Sequence, residues 1–270
     1  MSTTSPSEAR EALESARRTL RVAIPDAGSR LDQHEEWFLY DSGDGWRELR
    51  VHEYADIFEI QGLYERVVND AFECVSPDVV AGELMYAAHE AEQSPRDLVV
   101  LDLGAGNGCV GEALALRGFD ELVGVDIFPE AAEAAERDRP GIYADYAVGD
   151  LLDLPPQHLR KLDQRDFNAM TCVAALGYGD IPPAVFAAAF NRVENGGWIA
   201  FTIKSDFLDT RDRSGFATLI GRLLEDGTLE AVIQRPYRHR YAIDRTPIEY
   251  TAIVGRKRGA IELGHLDLDD

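Results

Sequence analysis

Residues 99–108, Val-Val-Leu-Asp-Leu-Gly-Ala-Gly-Asn-Gly, constrain this chain more than any other segment. Leu98–Leu101 is a short continuous apolar run, as in a strand buried on both faces. Three alternating glycines follow, Gly104, Gly106 and Gly108, and a helical pattern runs from about Cys109 to Arg117, with Gly118 suited to end it. A strand that passes through glycines into a helix offers backbone N–H groups to the anionic atoms of a ligand. The alternation then continues. Glu121–Val125 reads as a second strand and Pro129–Arg137 as a second helix; Tyr146–Val148 and Phe167–Val173 read as third and fourth strands. A helix over Pro183–Val193, a turn at Asn195-Gly196-Gly197, a fifth strand over Trp198–Ile203 and a helix over Gly215–Leu224 complete the series. Strands that alternate with helices form a parallel sheet. Leu229–Ile243 and Ile248–Arg256 break the pattern as two long neighbouring strands joined at Asp244-Arg245-Thr246-Pro247, which adds an antiparallel strand at the end.

The section from 1 to about 95 reads as helical, with no clear strand. Ser5 can cap a helix that runs to about Leu20, with Pro6 at its first position and Glu8 completing a capping box. A polar, Gly-rich stretch surrounds Asp41-Ser42-Gly43-Asp44-Gly45. Residues 46–73 carry Tyr54, Ile57, Phe58, Leu63, Val67 and Phe72 on apolar-leaning helical faces, with Gly62 as a break. Pro77 opens a further helix that ends near Glu92. The expected organisation is a helical extension over 1–95, a ligand-binding α/β domain over 96–258 and an acidic tail over 259–270.

The chemistry starts at the glycine loop. Asp126 ends the second strand, 126 − 106 = 20 residues beyond the middle glycine, where a carboxylate can accept hydrogen bonds from both hydroxyls of a ribose. Gly106-x-Gly108-x-x-Gly111 also matches the dinucleotide fingerprint, which alone is a weak signal. Asp102, two residues before the first glycine, would repel a pyrophosphate but suits a ligand that carries an ammonium group. A final antiparallel hairpin also departs from the all-parallel dinucleotide sheet.

On these residues the chain resembles the class I S-adenosylmethionine-dependent methyltransferases. Leu101-Asp102-Leu103-Gly104-Ala105-Gly106-Asn107-Gly108 is similar to their first motif, and Val123-Gly124-Val125-Asp126-Ile127 to the acidic ribose-binding segment. Gly149-Asp150-Leu151 resembles the loop that holds the adenine amino group. Thr171-Cys172-Val173-Ala174-Ala175-Leu176 occupies the place of the fourth motif, and Gly196–Phe201 that of the turn and fifth strand. The resemblance covers about residues 95–257. It implies a Rossmann-like α/β three-layer sandwich with a seven-stranded mixed sheet, its last strand antiparallel, and an N-terminal helical cap. It also implies S-adenosyl-L-methionine as cofactor, held by Asp102, Gly104, Ala105, Gly106, Asn107, Gly108, Asp126, Ile127, Asp150, Leu151 and Val173. A loop carboxylate that caps the next turn is an equal reading of Asp150. Two alternatives stand beside methyl transfer: a nicotinamide-dependent oxidoreductase on the same loop, and a non-catalytic binding protein of the same fold.

Methyl transfer from a sulfonium needs a positioned acceptor and a general base only where the nucleophile must lose a proton, so the resemblance carries over no catalytic residue. Cys172 lacks a preceding proline and reads as an inert buried thiol. Acceptor candidates lie outside the cofactor motifs. His52, Glu53 and Tyr54 sit on the N-terminal segment, which is placed to cross over the cleft and exclude water. Tyr237, His239 and Tyr241 alternate on one strand, so all three are expected on one side of it, where they cap the sheet edge, the preferred reading, or line a pocket. Tyr178 lies in the shaped loop Gly177-Tyr178-Gly179-Asp180-Ile181-Pro182-Pro183. Arg235, Arg238, Arg240 and Arg245 form the only dense basic patch, which meets either an anionic substrate or the chain's own carboxylates. No metal site is read from the sequence.

Charge decides between acceptor classes. The balance is 27 − 49 = −22, which argues against nucleic acid and acidic membranes as partners and for a small molecule. Three cysteines without a CxxC pair or a disulfide framework fit a reducing cytoplasm. Met1–Arg18 shows no leader pattern, and no apolar run approaches the roughly 18 residues of a membrane span.

Overall fold

A computed structural model describes residues 5–25, 31–176, 180–205 and 215–262. The first helix, α1 (Pro6–Thr19), starts with the expected capping box: Ser5 Oγ accepts from Glu8 N at 3.3 Å and Glu8 Oε2 accepts from Ser5 N at 2.9 Å. The next part corrects the all-helical reading of 1–95. Strands β1 (Val22–Ala23), β2 (Trp37–Asp41) and β3 (Trp46–Arg50) form a three-stranded antiparallel sheet in that order. The Gly-rich stretch is its hairpin turn, with Gly43 and Gly45 at φ +88° and +132°. In β2 only Phe38 and Tyr40 are buried, which is the period of a strand. β3 is exposed along nearly its whole length and pairs through its backbone, so it has no apolar pattern to read.

Helix α2 (Tyr54–Glu59) follows, then a π-helical stretch over Glu65–Ala71. The break between them falls at Gly62. Its φ is +80°, and an added Cβ would lie 2.8 Å from the Arg17 backbone nitrogen, so the chain bends where it crosses α1.

Helix α3 (Ser76–Glu90) leads into the large sheet: β4 (Val99–Leu103), α4 (Cys109–Ala115), β5 (Glu121–Asp126), α5 (Pro129–Asp138), β6 (Asp145–Val148), α6 (Pro156–Asp163), β7 (Ala169–Cys172), α7 (Pro183–Arg192), β8 (Trp198–Lys204), α8 (Phe216–Glu225), β9 (Leu229–Tyr241) and β10 (Pro247–Lys257). The seven strands lie in the order β6-β5-β4-β7-β8-β10-β9. The first five are parallel, and β10 runs antiparallel to both β8 and β9. This is the seven-stranded mixed sheet with an antiparallel last strand that the sequence led us to expect. The helix α6 adds to that reading; Pro156 at its start and Leu159 and Leu162 three apart are its local signals.

Alternate residues of the strands feed two apolar layers. Leu101, Leu103, Val123 and Val125 pack with Phe186, Phe190 and Leu219 of α7 and α8, while Val100, Leu122 and Ala200 pack with Val80, Leu84 and Leu114 of α3 and α4. Helix α3, which falls within the 1–95 extension, is therefore part of the sandwich. The segment before it has its own apolar cluster around Phe38, Ile57, Leu63 and Phe72. The parallel strands end at one edge of the sheet. Because β9 points the same way, its C-terminal end reaches that edge too, together with the start of β10.

Candidate active site

The glycine loop is held open by β5. Gly104 N and Ala105 N both donate to Val125 O, at 2.8 and 3.1 Å. Gly106 sits at φ +53°, and a Cβ there would stand 3.3 Å from Phe58 Cζ. Its left-handed conformation favours glycine, and the ring above it leaves only tight space for a Cβ. Asp126 lies beside it, with Oδ2 accepting from Gly106 N at 2.9 Å and Oδ1 from Phe128 N at 3.0 Å. Burial raises its pKa against those backbone hydrogen bonds. Gly111, the third glycine of the dinucleotide match, has another cause: an added Cβ would lie 2.8 Å from Tyr143 Cζ. It is small because that ring packs on α4, not because a pyrophosphate approaches.

Asp102 is fully enclosed behind the loop. Tyr143 Oη and Thr171 Oγ1 donate to its two oxygens at 2.6 and 2.7 Å, and burial pushes its pKa up to about 6. It is not part of the cavity wall, so the ammonium contact expected of it is replaced by a buried network that fixes β4 against β7. Gly108 also stands off the wall, where its φ of +88° opens α4.

A cavity of about 460 Å³ opens in front of the loop. Gly104, Ala105, Gly106 and Asn107 form one wall with Asp126 and Ile127, and Asp150, Leu151 and Val173 border the same space. Asp150 also caps its own loop, accepting from Leu152 N at 2.9 Å. Cys172 is sealed in the core, where burial pushes its thiol pKa up.

The opposite wall comes from the N-terminal segment and the final hairpin. His52, Tyr54, Phe58 and Tyr64 follow one another as neighbouring rings, with centroids 5.5, 6.0 and 5.5 Å apart, and all four line the cavity. Burial, with Arg240 nearby, lowers His52 to about 4. Across from them stand His239, Arg240 and Tyr250. Glu53 stays outside the cavity wall. Tyr178 lies outside the described residues.

The expectation that Tyr237, His239 and Tyr241 share one side of their strand is corrected. The pairing jumps from Ile248↔Arg240 to Glu249↔Arg238, so His239 is the extra residue of a β-bulge. His239 lines the cavity, Tyr237 packs behind it on Ser76, and Tyr241 lies away from the cavity between the guanidinium groups of Arg238 and Arg245. The basic patch is spent on the chain's own acids. Arg235 pairs with Glu83, Arg245 with Glu73, and Arg240 with the fully buried Glu36, which also accepts from Ile243 N at 2.6 Å. Arg238 donates to Glu73 O at 2.9 Å.

A buried ionic cluster joins the two walls, and nothing in the local sequence marked it. Glu65 Oε1 accepts from Asn107 Nδ2 at 2.8 Å and lies 2.9 Å from Arg139 Nη2, while Arg139 Nε bonds Glu112 at 2.8 Å. The π-helix is thereby tied to the glycine loop.

Comparison with known proteins now adds to this geometry. A family model described as a methyltransferase domain matches residues 100–197, from the glycine-loop strand to the turn before β8. That match covers about a third of the chain, and the strand order around it is that of the class I methyltransferase fold. The chain carries a class I S-adenosylmethionine-dependent methyltransferase domain. Among curated relatives, the ubiquinone biosynthesis O-methyltransferase of Chromobacterium violaceum is 32% identical over 108 residues, 38% of this chain and 43% of that protein. The protein of the same name from Psychrobacter arcticus is 26% identical over 221 residues, 77% of this chain and 74% of the relative. The chain spans less than two thirds of the length of the first several of these relatives. A solved S-adenosylmethionine-dependent methyltransferase from Clostridium acetobutylicum aligns with a TM-score of 0.48 at 16% identity, over 73% of this chain and 97% of that one.

The residues present fit the cofactor of this methyltransferase domain, S-adenosylmethionine. A Cβ at Gly106 would press on the Phe58 ring at 3.3 Å, and Asp126 keeps an acceptor carboxylate at the cavity wall. Among the described residues no helix is long and apolar enough to cross a membrane.

Proposed function

We propose that this chain transfers a methyl group from S-adenosylmethionine to a hydroxyl oxygen of a small molecule. The observation that carries the reading is one continuous cavity with two unlike walls. One is a glycine loop with Asp126; the other is aromatic and hydrogen-bonding, with Arg240 already neutralised by Glu36 and the Asp180 carboxyl at its border. When bound, the cofactor supplies a methyl group on a sulfonium centre. The glycine loop and Asp126 hold its nucleoside part, and Ile127 and Leu151 give apolar contact for its base. The rings of residues 52–64 cover the cleft and keep water from the reacting atoms. Oxygen as the methylated atom is supported by the O-methyltransferase names of the curated relatives.

Two further readings go with it. Residues before α3 act as the cap, and the chain works in the cytoplasm, supported by three cysteines that are all free. Generic nucleic acid is not a partner, since three of the four arginines that would meet phosphate, Arg235, Arg240 and Arg245, are paired with carboxylates.

A ligand thermal-shift panel tests this function. S-adenosylmethionine and S-adenosylhomocysteine should each raise the melting temperature, and NAD and NADP should not. Stabilisation by a nicotinamide cofactor alone would reverse the assignment.

A further inference from the structure

We infer that His239 is the general base of this site and that its acceptor is a phenol, with Ser76 and Tyr237 positioning the imidazole. The inference rests on the methyltransferase reading above and adds to it the base and the acceptor class.

His239 is inserted by the β-bulge at the ligand edge of the sheet, and only 4% of it is exposed. Its backbone is fixed as well, since its carbonyl accepts from Val75 N at 3.0 Å. Its Nδ1 lies 2.6 Å from Ser76 Oγ, which lies 2.6 Å from Tyr237 Oη. Tyr250 packs on the ring with centroids 4.2 Å apart. Nε2 has no hydrogen-bond partner among the described residues, and it is not one of the sealed polar atoms that lack one. That nitrogen therefore opens onto the cavity that the ring lines. A histidine held at one nitrogen by an oriented hydroxyl, with the other facing a substrate space, is the arrangement that general-base work requires.

Charge keeps the ring ready. Burial and the neighbouring cations Arg240 and Arg238, with His52 beyond, hold its pKa well below the ordinary histidine value. Burial pushes the Cys74 thiol up, so it stays neutral against the ring; Tyr250 and, through Ser76, Tyr237 are the other titratable side chains around it. The ring is therefore unprotonated at neutral pH. Among hydroxyl acceptors a phenol, with a pKa of about 10 as in tyrosine, lies nearest to an imidazole's reach, whereas an aliphatic hydroxyl is nearly as weak an acid as water at about 15.7. A neutral amine would need no base before attack. The ring-lined wall from His52 to Tyr64 favours a planar acceptor over an alkyl thiol.

The proton balance is simple. The acceptor O–H bond breaks, its proton goes to Nε2, and its electron pair remains on oxygen as the nucleophile for the methyl group. Nδ1–H donates to Ser76 Oγ and Ser76 O–H to Tyr237 Oη throughout. The imidazolium then returns its proton to solvent.

The experiment measures transfer to a series of phenols of graded acidity, from 4-ethylphenol to 4-nitrophenol, the latter largely ionised in mildly alkaline buffer. Alongside it, S-adenosylhomocysteine affinity is measured by calorimetry. His239→Gln should lower the rate with 4-ethylphenol about 100-fold or more, but leave 4-nitrophenol within a few-fold and the nucleoside affinity unchanged. Ser76→Ala, which keeps His239 and removes only its anchor, should show the same acidity dependence with a smaller loss, about tenfold. An equal loss across all phenols in both variants would make the residues structural and overturn the proposal. So would transfer by the native protein to no phenol in the series while the nucleoside still binds. Failure to bind the nucleoside at all would instead overturn the methyltransferase reading.

Discussion

The two walls of the cavity are built by different rules. The cofactor wall is continuous in sequence: residues 103–107 form it, and Asp126 and Asp150 join it from the next two strand ends. Much of its work is done by backbone, in a loop with glycines at φ +70°, +53° and +88°. The acceptor wall is assembled from Gln33, His52, Tyr54, Ser76, His239 and Tyr250, which share no local pattern, and its work is done by side chains. Backbone geometry suits a ligand part that never changes. A wall of side chains is free to vary with the acceptor, and it is where we propose that specificity resides.

The largest expected effect strikes the join between the walls. Arg139 is 8% exposed and faces Glu65, which is 2% exposed and already has one oxygen, Oε2, without a partner. Arg139→Met would leave that carboxylate buried and uncompensated, and should cost about 3–5 kcal/mol. Chemical denaturation measures it, and a loss below about 1 kcal/mol would show that the cluster does not couple the two walls.

Acid separates the walls next. Asp102, behind the cofactor wall, has a folded pKa raised to about 6. Its contribution to stability is fully present below the unfolded value near 3.9 and lost as pH rises through 6. His52, on the acceptor wall, has a folded pKa lowered to about 4. Its contribution is present above the unfolded value of about 6.5 and lost as pH falls through 4. Between pH 4 and 6 the melting temperature of the native protein relative to Asp102→Asn should fall as pH rises, and relative to His52→Gln it should climb. Parallel curves for the two pairs would mean that the walls do not differ in this way. The Asp102 term is about 2–3 kcal/mol across the window.

Tyr54→Ala is a narrower test. Removing one ring of the stack should slow methyl transfer about tenfold, ~1.4 kcal/mol, and leave S-adenosylhomocysteine affinity unchanged. A lost melting temperature with retained rate would place Tyr54 in the core instead. The smallest effect belongs to the surface pair of Arg235 and Glu83, away from both walls. Arg235→Ala should change stability by less than about 0.5 kcal/mol and leave turnover unchanged.

The same contrast explains what could be read from the sequence. The cofactor wall was legible because its parts repeat physical patterns in order: apolar runs, glycines, a strand-end acid. Even there Asp102 was misplaced, since nothing local reveals that Tyr143 and Thr171 would enclose it. In the acceptor wall, His239 and Tyr54 were named as single residues, but their partners were out of reach. Ser76 meets His239 across 163 residues and Gln33 meets Tyr250 across 217. The alternation that placed Tyr241 beside His239 failed because one bulged residue reverses every side chain beyond it. Strand β3 escaped notice because an exposed strand, Trp-Arg-Glu-Leu-Arg, pairs without an apolar face.

The most direct test of the central claim, that Gly106 and Asp126 hold the nucleoside of S-adenosylmethionine, is calorimetric titration of S-adenosylhomocysteine into the native protein and into Asp126→Ala. The native protein should bind one equivalent. The variant should bind roughly 30- to 100-fold more weakly, the loss of about 2–3 kcal/mol expected for hydrogen bonds to a charged acceptor. Equal affinity in the two proteins would contradict the placement of the cofactor wall.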